Sequence, residues 1–274
     1  MKKKQLKEMS FLDHLEELRW LLVRSSVAVL IFATFAFFVS DYIFDVIIFG
    51  PKSPDFITYR VFCGLSHQLG FADSICVTEM PFIIQNIDVE GQVNILVWAC
   101  ITVGFILAFP YILLQLWNFI SPALYEKERK NAKLFIFIAS FLFFLGVLFG
   151  YFVVVPMSVN FFATFKVSEV VQNQFSFDSY IGMIKTSVIA SGLFFELPVV
   201  IYFLTKLGLV TPQFLRQYWK YSVVIILIVA AIVTPPDVVS QLIVAIPMLL
   251  IYELSIFISS VVYKNQQKKE RKVS

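Results

Sequence analysis

The sequence contains few of the residues and motifs from which catalytic or metal centres are built. Only two of its 274 residues are histidine, His14 and His67, too few for a histidine-rich metal site or an intramembrane Ser/His pair. The H-E-x-x-H, Walker and G-x-G-x-x-G patterns are absent as well. We therefore expect no enzyme activity, no metal, no cofactor and no nucleic-acid partner.

Charged residues are scarce too, at 15% of the chain, whereas 59% of the residues are hydrophobic and the mean hydropathy is +0.81. A soluble domain needs a more polar surface than this composition allows. The 31 phenylalanines suit surfaces that face lipid or pack between helices. The composition predicts an all-α, polytopic membrane protein with no separate soluble domain.

Six apolar runs mark the expected membrane-spanning helices. They lie at about residues 21–39, 93–116, 134–155, 181–204, 219–233 and 238–262. A helix needs ~20 residues to cross a hydrocarbon core of ~30 Å, and the fifth run reaches only ~23 Å. We expect the bilayer to be thinner there, or a partner helix to shield that span. Residues 1–274 would then form one six-span domain.

The segment before the first span is basic and amphipathic, with Phe11, Leu15, Leu18 and Leu22 at helical spacing. This pattern predicts an interfacial helix that begins at Phe11 and continues into the first span. Because no small-residue cleavage site follows, we expect a retained span and not a secretory signal. Residues 40–91 mix short apolar runs with turn residues and predict a small extramembrane cap.

Lysine and arginine are distributed unevenly between the two sides of the predicted bundle. One side carries clusters at residues 2–24, 127–133, 206–220 and 264–272, whereas the other carries only Lys52, Arg60, Lys166 and Lys185. By the positive-inside rule, both termini and the connection at residues 115–130 lie in the cytoplasm. The cap is then external.

Two of the three cysteines, Cys63 and Cys76, lie in this cap, and Cys100 lies within the second span. An external compartment permits a disulfide between Cys63 and Cys76. Two free thiols are equally compatible with the sequence, which does not give their distance.

Two acidic residues fall inside the predicted spans, Glu196 beside Pro198 and Glu253 in the last helix. A charge at the centre of a span is unfavourable by about 2.5 to 3.5 kcal/mol on insertion scales, so such groups face a protein interior or a watery cavity. Glu196 is therefore a candidate functional residue. The alternative is a structural clamp, a protonated carboxyl that hydrogen-bonds Thr234 or Gln241. For Glu253, nearer the cytoplasmic end, we favour a structural role.

Residues 115–130, QLWNFISPALYEKERK, form a short polar connection between two long apolar runs. Trp117, Phe119 and Tyr125 are aromatic groups typical of a membrane-water interface, and Pro122 interrupts the helix between them. An aromatic belt followed by solvated charges is ordinary at the end of a span, so this stretch indicates a binding surface only together with other motifs.

Those motifs occur in a fixed order along the chain. They are HLEELR at 14–19, WNFISPALYEKER at 117–129, FFELPV at 194–199, and TPPDVVSQ with AIPM at 234–248. In this order and with six spans, the sequence resembles the TatC family, the receptor subunit of twin-arginine protein translocases. The resemblance covers essentially the whole chain, although the cap is longer than usual and its cysteine pair has no counterpart that carries over. It implies export of folded proteins across the bacterial cytoplasmic (inner) membrane, driven by the proton-motive force without nucleotide hydrolysis by this subunit.

The resemblance also implies a binding site. Glu17 and Glu128 match the acidic residues that receive the twin-arginine motif of a signal peptide, and Arg19 and Phe119 match further recognition positions. The chemistry agrees, because a carboxylate binds a guanidinium group through two parallel hydrogen bonds, which lysine cannot imitate.

A second set of matches concerns transport and assembly. Pro51 corresponds to a proline of the external loop, and Glu196 corresponds to the acidic residue of the fourth span. Thr234 and Gln241 match polar positions where single-span TatA- and TatB-like subunits dock. The implied protein is an oligomer, surrounded by membrane lipids and these partners.

Two other functions are compatible with the composition. A proton- or ion-coupled small-solute transporter would use Glu196 as its carrier, but it would also need paired ionisable groups near the midplane and an internal repeat, and neither is evident. A pure membrane scaffold would leave Glu17 and Glu128 without a role.

Overall fold

The computed structural model describes residues 11–68, 76–77, 80–120, 132–168, 170, 172–235 and 237–270. Its α-helices, in chain order, are α1 (Phe11–Phe38), α2 (Ser40–Tyr42), α3 (Ile57–Gln68), α4 (Gly91–Ile120), α5 (Ala132–Phe149), α6 (Val155–Thr164), α7 (Phe177–Phe195), α8 (Leu197–Lys206), α9 (Pro212–Gln217), α10 (Trp219–Val233) and α11 (Val238–Glu270). Two π-helical segments, Ile43–Ile48 and Gly150–Val154, and a 3-10 turn, Gly50–Lys52, lie between them. The strands are β1 (Ile83–Gln85) and β2 (Gln174–Ser176).

Five stretches of these helices are long and apolar enough to cross a membrane. They are His14–Phe38, Gly91–Ile120, Lys133–Thr164, Phe177–Lys206 and Val238–Lys268. The fifth predicted span, 219–233, coincides with α10, which is apolar but has only 15 residues. The prediction of an all-α, polytopic membrane protein is confirmed, with one addition. Since the third predicted span ends near Val155, it omits α6, which continues the same helical run.

Contacts between residues divide the chain into two compact units, residues 1–40 with 96–140 and residues 41–95 with 141–274. In the first unit, α1 and α4 approach closely at Gly104. A Cβ atom added there would lie 2.6 Å from Ala33 N and 2.7 Å from Val29 O. The missing side chain therefore allows the two helix backbones to touch, as small residues commonly do between membrane helices. The expectation of a single domain stays a prediction.

In the second unit, the run from α5 into the π-helical turn packs against α7 through small residues. A Cβ atom on Gly146 would lie 2.6 Å from Ser191 O, and one on Gly150 would lie 2.8 Å from Ser187 O. Neither neighbour is the end of a flexible side chain, so the helices stay this close only while both positions are glycine.

A hydrophobic cluster of the second unit joins α8, α10 and α11. Its fully buried members include Ala230, Val244, Met248 and Ile256. At the far end of the same helices, a hydrogen bond of 2.8 Å links the hydroxyl oxygens of the buried Thr205 and Ser259. These two hydroxyl groups thus satisfy each other inside the bundle, where no water is available to do so.

Residues 47–51, where the chain leaves its first long helical run, are held by three tyrosine side chains, which we call the tyrosine clamp (Tyr59, Tyr151 and Tyr180). Each hydroxyl donates to a backbone carbonyl: Tyr151 to Ile47 (2.7 Å), Tyr180 to Ile48 (3.0 Å) and Tyr59 to Pro51 (2.9 Å). Pro51 is buried, and the regular helix that would satisfy these carbonyls ends here. The clamp supplies the missing donors.

The Tyr59 hydroxyl oxygen also lies 3.1 Å from the carbonyl oxygen of Pro156. One hydroxyl group therefore contacts two separate segments of the backbone. Burial raises the pKa of Tyr59 well above its usual range, and the hydroxyl keeps its proton for donation.

We expect Tyr59→Phe to lower the free energy of unfolding by about 1 kcal/mol, because the ring is kept and only the hydrogen bond is lost. Thermal unfolding in detergent measures this. Tyr42→Phe, at an exposed tyrosine, is the matched control and should leave the midpoint unchanged. Equal midpoints for both variants would contradict a stabilising role for the clamp.

A parallel two-stranded sheet, which the sequence does not predict, joins the cap to the connection before α7. Ile83 pairs with Gln174 and Gln85 with Ser176. Beside it, the rings of Phe82 and Phe175 stack at 4.4 Å. Three-residue strands are too short for an alternating pattern to be recognised in a sequence.

Candidate functional site

A cleft of about 360 Å³ lies in the first unit, between the beginning of α1 and the end of α4. Its lining residues are Glu16, Glu17, Trp20, Leu21 and Arg24 of α1 and Gln115, Asn118 and Phe119 of α4. The α1 residues at positions 16, 20 and 24 are four apart and therefore share one helix face. The cleft combines carboxylate, amide and aromatic groups.

Two ring contacts involve residues that line the cleft. The His14 and Phe119 rings stack with centroids 4.5 Å apart. The Arg24 guanidinium lies 5.9 Å from the centre of the Trp20 ring, within the range of a cation-π interaction. Phe119 therefore offers an apolar surface in the same cleft as the partly buried Glu17.

The structure brings together only some of the residues expected at this site. Glu17 and Phe119 both line the cleft, whereas Arg19 is exposed on α1 and is not among the lining residues. Glu128, together with Pro122 and Tyr125, lies outside the described residues.

Trp117 is buried, and its ring centroid lies 4.8 Å from that of Phe135. Its ring therefore packs inside the protein, and its place at the membrane-water interface stays a prediction. The helix also continues to Ile120, and residues 115–120 of the supposed connection belong to α4.

Sequence reasoning did not single out Glu16, Gln115 or Asn118 as site residues. Gln115 is only 8% exposed although it is polar. A signal was present, because Gln115, Asn118 and Phe119 recur at three- and four-residue spacing at the end of an otherwise apolar helix.

Glu196 lies in the second unit at the break between α7 and α8. It is 6% exposed, and its Oε1 atom has no hydrogen-bond partner among the described residues. The two partners considered above for a structural clamp make other hydrogen bonds in the part of the chain that the structure describes. Thr234 donates instead to Ala230 O at 2.8 Å, and Gln241 Nε2 donates to Leu227 O at 3.1 Å. A buried polar atom without a partner is uncommon in native structures and calls for an explanation.

Thr234 lines a second cleft, of about 720 Å³, at the end of α10. Ile232, Val233 and Pro235 line it as well, together with part of α7 that includes Met183 and Ser187. Glu196, Gln241 and Pro51 do not line this cleft. Pro51 is held in the tyrosine clamp, so this cleft does not bring together the four residues expected to act in transport and docking.

The TPPDVVSQ motif has a structural function in addition. Asp237 accepts hydrogen bonds from Ser240 N at 2.7 Å and Val239 N at 3.4 Å, and therefore caps the N-terminus of α11. The hydrogen bonds from Ser240 lower the pKa of Asp237. In the last helix, Glu253 accepts a hydrogen bond from Trp219 Nε1 at 2.6 Å, which agrees with the structural role favoured above.

Cys63 and Cys76 are joined by a disulfide, with Cα atoms 4.6 Å apart, and Cys100 is a free, buried thiol. His67, one turn after Cys63 on α3, places its Nε2 atom 3.7 Å from Cys63 Sγ and 3.5 Å from Cys76 Sγ. Sequence reasoning did not bring this histidine and the cysteines together.

These features define a class, a multi-pass, all-helical membrane protein with an acidic and aromatic cleft at the end of two of its helices. A family model described as "Sec-independent protein translocase protein (TatC)" matches residues 13–247. The chain belongs to the TatC family.

Similar proteins span nearly the whole chain. The TatC protein of Blattabacterium sp. subsp. Periplaneta americana (strain BPLAN) is 41% identical over 96% of this chain and 100% of its own length. The TatC protein of Aquifex aeolicus (strain VF5) is 35% identical over 96% of this chain and 98% of its own length. A crystal structure described as "Twin Arginine Translocase Receptor- TatC in DDM" is 34% identical, with a TM-score of 0.70 over 90% of this chain and 99% of that one. These findings support protein translocation over small-solute transport.

Proposed function

We propose that this chain is the receptor for twin-arginine signal peptides and the core subunit of a translocase that exports folded proteins, driven by the proton-motive force. The observation that carries this proposal is the first cleft, which is lined both by the partly buried Glu17 and by Phe119, whose ring stacks on that of His14. The solved structures that resemble the chain are described as twin-arginine translocase receptors.

The cleft chemistry suits such a peptide. A guanidinium group pairs with a carboxylate through two charge-assisted hydrogen bonds, and Glu17 is one acceptor of this kind. Glu128 is proposed as the second acceptor. The amides of Gln115 and Asn118 offer further polar contacts, and Trp20 provides an apolar wall for the neighbouring part of the peptide. Arg19, exposed on the same helix, is proposed as a recognition residue outside the cleft.

Partner docking is proposed at the other unit. The second cleft has a mainly apolar lining, to which Thr234 contributes a polar group. It adjoins α10, whose 15 residues are too few to cross a hydrocarbon core of ~30 Å unaided. A single-span TatA- or TatB-like helix would cover this short span, with Thr234, Gln241 and Pro51 as proposed docking positions. Assembly of several copies within membrane lipids is part of the same proposal.

The proposed orientation places both termini and the first cleft in the cytoplasm, in the bacterial cytoplasmic (inner) membrane. The cap is then external. The distribution of lysine and arginine along the chain supports this orientation.

The function is tested by binding a fluorescent twin-arginine signal peptide to the purified protein in detergent. We expect saturable binding that is strongly weakened when both arginines of the peptide are changed to lysine, because an ammonium group does not form the bidentate pair. Equal affinity for the two peptides would overturn the receptor proposal.

A further prediction concerns Glu196. We expect Glu196→Ala to leave signal-peptide binding nearly intact and to block export, with little loss of thermal stability in detergent, because Oε1 forms no hydrogen bond among the described residues. Glu253→Ala is the control. It should lower stability, since Trp219 loses its acceptor, while export continues. Export at the wild-type rate by Glu196→Ala would remove this residue from the transport machinery.

A further inference from the structure

The cap holds three side chains of the types that bind metal ions, and no step of the proposed translocation uses them. They are Cys63, His67 and Cys76, whose donor atoms all lie within 4.8 Å of one another. Cys63 and Cys76 are partly exposed and His67 is exposed. In the present state, the two sulfur atoms are bonded to each other.

The distances suit a tetrahedral metal site. An ion with metal-sulfur bonds of about 2.3 Å and a metal-nitrogen bond of about 2.0 Å has donor atoms about 3.5 to 3.8 Å apart. The two sulfur-to-nitrogen distances, 3.7 Å and 3.5 Å, already have this length. Only the two sulfur atoms must move apart, and they become free to do so when their bond is broken.

We propose that, after reduction of the disulfide, Cys63, His67 and Cys76 together bind one thiophilic cation of the Zn²⁺ or Cu⁺ class. Thiolate and imidazole ligands select such ions over Mg²⁺ and Ca²⁺. For Zn²⁺, three protein ligands leave a fourth position for water, and Cu⁺ accepts the three ligands alone.

The chemistry proceeds in two balanced steps. A dithiol reductant transfers two electrons and two protons to the disulfide, whose bond breaks to give two thiols, while the reductant becomes a disulfide. The metal ion then replaces the two thiol protons, which are released to solvent. In the oxidised form the sulfur atoms are neutral and joined, so the site exists only when the cap is reduced.

His67 is the residue that separates this proposal from a purely structural disulfide. A disulfide that only closes a loop has no need of an imidazole, whereas a metal site gains a ligand held by the rigid backbone of α3. The proposal does not depend on protein translocation, and its test does not measure transport.

The test uses the full-length protein in detergent with the substitution Cys100→Ala, so that Cys63 and Cys76 are the two cysteines left in the chain. One sample is kept oxidised, and the other is reduced with a phosphine and desalted without oxygen. Thiol titration should find no free thiol in the first sample and two in the second. Competition with chromophoric chelators then measures Zn²⁺ and Cu⁺ binding in separate arms, and Co²⁺ reports thiolate coordination by its absorption spectrum.

We expect one Zn²⁺ or one Cu⁺ ion per reduced chain and none per oxidised chain. Cys63→Ser should abolish this binding. His67→Ala should lower the metal affinity of the reduced site more than about tenfold. Even the loss of a residue that only hydrogen-bonds a metal ligand lowers metal affinity by at least about this factor. Gln68→Ala, at the exposed neighbouring position, is the matched control and should bind as the parent does.

Three results would overturn the proposal. They are no stoichiometric binding by the reduced chain, equal binding by the oxidised chain, and unchanged affinity in His67→Ala. The His67→Ala variant keeps both cysteines, so its comparison with the parent stays valid if reduction loosens the cap. If Cys63 and Cys76 were both free thiols in protein purified in air, the proposal that the disulfide controls metal binding would be overturned.

Discussion

Glu17→Ala and Glu128→Ala are each expected to weaken the binding of twin-arginine peptides roughly 30-fold or more, because truncating one partner of a buried charge pair costs about 2 to 5 kcal/mol. Stability should change little. Glu17 is only partly buried, and substitutions at such surfaces usually stay within about 0.5 kcal/mol. Fluorescence anisotropy measures the affinity for the peptide, and thermal unfolding of the same samples measures the stability. Glu90→Ala, an exposed acidic position outside the cleft, is the control and should bind normally.

A reciprocal experiment assigns each arginine to its carboxylate. Glu17→Gln and Glu128→Gln are each combined with peptides in which one arginine at a time is changed to lysine or glutamine. The losses should be non-additive for the matched pair and additive for the other pair. Additive losses in every combination, or undiminished binding by both alanine variants, would place the recognition site elsewhere.

Gly146→Ala is expected to lower the free energy of unfolding by about 1 to 3 kcal/mol, the usual penalty for overfilling a well-packed interface. The new methyl group would lie 2.6 Å from Ser191 O and 2.9 Å from Gly192 Cα. Both are backbone atoms, so α5 and α7 must separate to make room. Thermal unfolding in detergent, with the yield of monodisperse protein, measures the change.

Gly182→Ala is the matched control, because Gly182 lies in α7 and nothing would contact its Cβ atom within 4 Å. Replacing a helical glycine with no steric conflict should stabilise the protein by about 0.4 to 1 kcal/mol. If Gly146→Ala lowers the free energy of unfolding and Gly182→Ala raises it, the close approach of the backbones is what requires glycine at position 146. If both variants were stabilising, the close packing of α5 on α7 would be refuted.

The membrane-spanning helices could be predicted well because their signal is long and uniform. The predicted fifth run, 219–233, has the same bounds as α10. Helix ends were less accurate, since apolar patterning continues through Val155 into α6 and stops only at Thr164. The break at Glu196 was not predicted either. Pro198 marks it in the sequence, but many membrane helices keep their direction through a proline.

The site was predicted only in part, and the reason is that its residues are set by three-dimensional contacts. Glu17 and Phe119 are far apart in sequence, and the resemblance to a known family brought them together. The burial of two further side chains could not be predicted from the sequence. Trp117 packs inward although its position favours an interface. Among the described residues, Glu196 Oε1 has no hydrogen-bond partner, whereas one alternative considered for this residue was a hydrogen-bonded clamp. A single sequence carries no direct record of which side chains face each other.

The tyrosine clamp has a consequence for biogenesis. The carbonyl of Ile47 receives its hydrogen bond from Tyr151, 104 residues later, and that of Ile48 receives its own from Tyr180, 132 residues later. Synthesis proceeds from the N-terminus, so the ribosome completes residues 47 and 48 long before either hydroxyl exists. The start of the cap must therefore wait, with its carbonyls bound to water, until the fourth long helix has been delivered to the membrane.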